Sequence, residues 1–204
     1  MSWLQGLKGC KPAALMLGLS FLVMPAFTAT ASERYPTEQE LRQLRADLSQ
    51  RVRSLLSSEM SHLIDDSRTS QERQRRQAFV SAWTRANPAA APFLGLWIGY
   101  EQTLSIYPSR NRNQVCLIEG NEDGSANFAT GTVLPNGDIQ ASDRRFIIRS
   151  GNYLGIASVD YGQPNVGGET PLHSPYPLDD PSRLNLSRNQ RQQFTQAGCT
   201  ASRP

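Results

Sequence analysis

Trp97, Tyr100 and Glu101 fall within seven residues of one another in the run Gly95-Leu96-Trp97-Ile98-Gly99-Tyr100-Glu101. A carboxylate beside an indole and a gap in the side-chain wall is one way to assemble a sugar-binding or general-acid site. These three are the candidate ligand-binding residues. Acid–base chemistry needs a second carboxylate, and the directions of Glu119 and Asp160 are not fixed by the sequence. The competing reading of Glu101 is a rim residue paired with an arginine. The other reactive groups are few. His62 and His173 are the two imidazoles, and neither sits in H-E-x-x-H spacing. Each reads as a polar residue rather than a ligand or base. There is no G-x-S-x-G elbow and no C-x-x-C pair. Asn121-Glu122-Asp123-Gly124 lacks calcium-loop spacing and reads as a turn. No catalytic residue, metal ligand or cofactor is assigned, and the balance leans away from an enzyme.

The element that must carry the candidate trio is a strand-like run from Gly95 to Tyr107. Leu96, Ile98, Tyr100, Leu104 and Ile106 recur on one side at period two. Trp97, Gly99, Glu101 and Thr103 take the other side. Read as one strand, it offers an apolar face and a mixed face. A carrier of small molecules would need a cavity under Trp97 and Tyr100.

The first 31 residues read as a signal peptide. Lys8 and Lys11 give a positive start, Ala13 to Met24 is apolar, Pro25 ends the run, and Ala29-Thr30-Ala31 is an A-x-A cleavage signal. Twelve apolar residues span about 18 Å as a helix, short of a bilayer core of ~30 Å. The expected mature chain starts at Ser32, carries no transmembrane span and is exported, to a periplasm, a thylakoid lumen or the extracellular space. Cleavage removes the only two lysines and leaves 19 arginines against 18 acidic residues, a net charge of +1. So even a balance is a poor basis for nucleic-acid binding. Without lysine, Schiff-base and P-loop chemistries have no residue to work with. Cleavage also removes Cys10. Cys116 and Cys199 remain, and two cysteines in an exported chain pair as a rule. The alternative is two buried thiols. A bridge would close a loop of about 80 residues, worth ~4 kcal/mol on a chain-entropy basis.

Residues 32–90 read as a helical segment and linker. Thr37 with Glu40, and Thr69 with Glu72, are capping boxes. The first helix carries a narrow stripe of Leu41, Leu44, Leu48, Val52 and Leu55, so it needs a partner, and the second helix is the expected one. The second begins with Arg73, Arg75 and Arg76, a set that suits anionic lipid or a polyanion but reads more simply as a solvated face. Asn87 to Pro92 is a Pro/Ala linker. Residues 91–204 read as an antiparallel β domain. Strands follow at Gln114–Glu119, Ala126–Leu134, Ile139–Ser142, Arg145–Arg149 and Tyr153–Asp160, with an Asn136-Gly137 hairpin signal. The segment from Tyr161 to Pro181, rich in Gly and Pro, reads as an irregular cover. Ser187 with Gln190 opens a short helix that Gly198 ends.

Gly95-Leu96-Trp97 resembles the Gly-x-Trp of the first lipocalin strand, a family of β-barrels that carry small apolar ligands. The six short strands expected here depart from the eight of that family. The run from Trp97 through Glu119 resembles an uncharacterised group of exported cyanobacterial proteins, which implies a periplasmic or lumenal setting and no activity. The expected fold is α+β: an N-terminal helical pair, a six-stranded antiparallel meander forming a small sheet or partial barrel, and a short C-terminal helix stapled back by Cys116 and Cys199. The expected function is a non-enzymatic binding or assembly factor of the cell envelope, acting on an envelope protein. A small-molecule carrier is the alternative, and a carboxylate-based glycan hydrolase stands third.

Overall fold

The computed structural model describes residues 32–100, 102–120 and 124–204. The expected signal peptide, Glu101 and most of the Asn121–Gly124 turn lie outside the described residues. Ala31–Pro204 forms a compact unit.

Helix α1 (Glu38–Leu56) starts where the capping box places it. The Glu40 amide donates to Thr37 Oγ1 at 3.3 Å, and the Thr37 amide donates to the Glu40 carboxylate at 2.7 Å. Helix α2 (Ser70–Ala86) repeats the arrangement with Thr69 and Glu72. The two helices do not form the expected mutual pair. Leu41, Leu44, Leu48 and Val52 of α1 pack on Phe146, Ile148, Ala157 and Val166, all from the sheet. Phe79, Val80 and Trp83 of α2 join a separate cluster. The sheet supplies what the narrow stripe lacks. Gly155 lies under Leu48, where a Cβ would stand 3.2 Å from both Leu48 methyls, so its missing side chain lets α1 settle close.

The sheet has nine strands, not six: β1 (Gly95–Gly99), β2 (Gln102–Pro108), β3 (Gln114–Gly120), β4 (Ala126–Val133), β5 (Ile139–Ala141), β6 (Phe146–Ser150), β7 (Tyr153–Asp160), β8 (Gln163–Val166) and β9 (His173–Tyr176). The order is β8-β7-β6-β5-β4-β3-β2-β1-β9, and neighbouring strands run antiparallel. It is a meander curled into a half-barrel, with β9 added beside β1. Leu154 of β7 and Leu172, just before β9, exchange amide–carbonyl bonds of 2.8 and 2.9 Å, so the curl brings the two ends together there.

Two features of the chain hide the three further strands. The run Gly95–Tyr107 breaks between Gly99 and Gln102, which pair across a tight hairpin. Trp97 then sits opposite Leu104, and Gly95 opposite Ile106. The turn resets the phase, so Trp97 shares a face with Leu104 and Ile106 rather than opposing them. The segment Tyr161–Pro181 is not wholly irregular but holds β8 and β9. Both are edge strands, where Pro164 and Pro175 cost no interior ladder bond.

The inner face is filled by one cluster that includes Trp97, Leu104, Ile106, Val115, Leu117 and Ile147, capped by α2. The opposite face is covered in two places. Helix α1 covers one. The other is Tyr107, Cys116 and Ile118 under Leu186 and Phe194, the latter from helix α3 (Arg188–Gln196). Strict alternation at 115–118 thus buries both faces of β3, as a central strand requires.

Candidate functional site

The structure does not gather the three predicted ligand residues into one open site. Trp97 is 3% exposed, and its indole N–H donates to the Phe93 carbonyl at 2.6 Å. Its polar edge is spent inside the core. Tyr100 is 45% exposed at the rim, held by its amide donating to Thr170 Oγ1 at 2.6 Å. Glu101 lies outside the described residues. What does reach the Trp97 ring is Arg76, whose guanidinium carbon is 5.9 Å from the ring centroid.

Cys116 and Cys199 form a disulfide with a Cα–Cα distance of 6.0 Å across 83 residues. Around it the C-terminal segment is sewn to the sheet. Arg110 N–H donates to Gly198 O at 2.9 Å, Thr200 N–H to Pro108 O at 3.1 Å, and Ser109 Oγ to Ala197 O at 2.7 Å. The Tyr107 ring meets Phe194 edge-on at 5.3 Å, and its hydroxyl donates to Asp179 O at 2.9 Å. Burial, with the charge of Asp179, pushes that phenol well above its ordinary pKa, so it stays a neutral donor.

This stapled segment frames an open cleft of about 640 Å³. Leu178, Leu186 and Phe194 are its apolar lining, Ser182, Thr195 and Thr200 are neutral polar groups, and Asp180, whose carboxylate accepts from the Ser182 amide at 2.9 Å, is an acidic one. Arg191 lines it too, but its guanidinium is turned to the protein. It donates to the carbonyls of Leu186, Ser182 and Leu184 at 3.0–3.3 Å and so fixes the loop 182–186. Cys199 itself lines the cleft. The sequence locates the staple but not the cleft, because its walls come from a Pro-rich loop and a helix that contacts distant in the chain, the disulfide and the bonds to Pro108–Arg110 among them, hold in place.

His173, His62, Glu119, Asp143 and Asp138 are engaged within the fold. His173 is buried at the start of β9. Its Nε2 donates to Leu63 O at 3.1 Å, which leaves Nδ1 to accept from Ser174 Oγ at 2.9 Å. Burial lowers its pKa, against the Leu63 bond and nearby Asp66, so the ring is neutral. His62 is exposed against the carbonyl of Glu59. Glu119 and Asp143 both grip Arg145, each at 2.6 Å. Asp138 is ion-paired with Arg45 of α1. Among the described residues no group of three His, Cys, Asp or Glu residues could hold a metal ion, and no helix is long and apolar enough to cross a membrane. No protein-family model, no curated protein and no solved structure matches the chain.

Proposed function

We propose that the chain is an exported, non-enzymatic binding or assembly factor of the cell envelope, and that the cleft beside Cys199 receives a polypeptide segment of another envelope protein. The observation that carries the reading is the cleft: apolar side chains among hydroxyl groups and the Asp180 carboxylate, set on a segment anchored by a disulfide and by Arg191. Hydroxyl groups and a carboxylate interleaved with apolar side chains suit the backbone amides and an apolar side chain of a polypeptide, and Asp180 disfavours an anionic ligand. The disulfide belongs to oxidising compartments. The Ala29-Thr30-Ala31 signal after an apolar run supports release of the preceding segment. A carrier would need room beneath Trp97, and that face is taken up by the chain's own side chains.

The test is site-specific photocross-linking in the host envelope. A photoreactive residue at exposed Thr195 is expected to trap one discrete polypeptide that the same group at Arg42, exposed on α1, does not trap. An identical set of products at both positions, or none at Thr195, would overturn the reading.

A further inference from the structure

The two halves of the disulfide stand in different surroundings. Cys116 is fully buried in β3, in one cluster with Tyr107, Ile118 and Phe194. Cys199 is half-buried and lines the cleft. A group arriving from solvent therefore meets this disulfide from the cleft, and Cys199 is the half it meets. Three further lining residues, Thr200, Ala201 and Ser202, follow Cys199 directly in the chain. Besides the disulfide, this stretch is tied back by the Thr200 amide donating to Pro108 O at 3.1 Å and by the Trp83 indole N–H donating to Ser202 O at 3.1 Å.

The sheet does not hang on the bond in the same way. Cys116 is paired with Tyr107 on one side and with Thr130 on the other, inside the β2–β3–β4 ladder. Phe194 is held by ring contacts with Tyr107 and Phe128, at 5.3 and 6.2 Å between centroids. Cutting the disulfide leaves these contacts in place and relaxes the cleft wall from Cys199 onward. The expected mature chain has no third cysteine, so the partner in any exchange is an external thiol.

We infer that Cys116–Cys199 is a thiol–disulfide exchange site reached through the cleft, and that reduction by a dithiol opens the cleft wall at 199–202. One thiolate of the dithiol bonds to the Cys199 sulfur. The Cys116–Cys199 bond breaks, and its electron pair leaves on the Cys116 sulfur, which takes up a proton. The second thiolate of the reductant then bonds to the first reductant sulfur and releases Cys199, which is protonated in turn. The chain gains two electrons and two protons, and the dithiol ends as a disulfide. A monothiol stalls at the mixed disulfide, because Cys116 lies beside it and attacks back. The exchange needs only the cleft. Its consequence, that an occupant shields Cys199 and that reduction releases the occupant, rests on the cleft being the polypeptide site.

Glutathione and dithiothreitol, applied to the oxidised mature protein, test it. The reaction is quenched with acid, free thiols are alkylated after denaturation, and peptides are mapped by mass. With glutathione the expected adduct is on Cys199, with Cys116 alkylated; with dithiothreitol both cysteines are alkylated. Adduct formation should slow about tenfold or more in Thr195→Trp, which fills the cleft. Ser202→Trp, at another exposed lining position, takes its place if Thr195→Trp melts below the parent. In the dithiothreitol-reduced protein, amide exchange should quicken at 197–202 while β3 and β6 keep their protection. Glutathione on Cys116, a rate unchanged by the filled cleft, or amides at 197–202 that exchange as slowly after reduction as before would overturn the inference. None of these readouts involves a partner. A failed cross-link at Thr195 would sink the polypeptide reading alone and leave the exchange site standing.

Discussion

His173 shows how one side chain takes its role from its surroundings. In the sequence it is an isolated imidazole in a Pro/Gly-rich stretch. In the fold it is a neutral spacer between Leu63 and Ser174. Its pKa is depressed, so the unfolded chain binds the proton more readily than the folded one. The stability it contributes is therefore fully present above the unfolded pKa of about 6.5 and is lost as pH falls through the folded value. Melting curves at about pH 7 and about pH 5 should show a larger loss for the parent than for His173→Gln, which keeps a donor for Leu63. Equal losses would mean the imidazole does not titrate on unfolding. Arg76 is the opposite case. Its neighbours Arg73 and Arg75 are exposed, and run together the three read as one wet face. Only the i, i+3, i+4, i+7 relation to Phe79, Val80 and Trp83 separates it, and that relation is visible only once the helix is set against the sheet.

The elements divide by how local their signals are. Capping boxes, the leucine stripe of α1 and the Asn-Gly hairpin are encoded within a few residues, and α1, α2, α3 and strands β3 to β7 lie where they were expected. The break inside Gly95–Tyr107 carries no Gly-Asn or Pro signal, so period-two counting ran through it and put Trp97 on the wrong face. Strands β8 and β9 were hidden because proline argues against strands, and only edge strands are exempt. The partner of α1 was equally out of reach, since Gly155 and Leu48 lie far apart in the chain and meet only in the fold. That contact gives a prediction at this scale. Leu48 is fully buried between α1 and the sheet, and Leu48→Ala should cost about 3 kcal/mol in denaturant unfolding. A loss within about 0.5 kcal/mol, as at surface positions, would mean α1 is not docked on β6 to β8.

At the scale of the whole molecule the chain is fastened at both ends of the described region. Ser32 is buried, its Oγ accepting from the Val159 amide at 2.8 Å, and Cys199 is bonded to Cys116. Closing an 83-residue separation is worth about 4.5 kcal/mol on a chain-entropy basis. Replacing both cysteines by alanine should lower stability by about that amount and loosen the walls of the cleft, read as faster amide exchange at 178–202. Unchanged exchange there would show that Arg191 and the backbone bonds suffice to hold the segment. The central claim is that the stapled cleft grips another polypeptide, and native mass spectrometry of the mature protein from its host envelope, kept oxidised, meets it most directly. The prediction is a stable complex for the parent that disappears in Thr195→Trp, a variant that fills the cleft from an exposed position and melts at the parent temperature. A complex that survives the filled cleft, or a bare monomer in both, would contradict the claim.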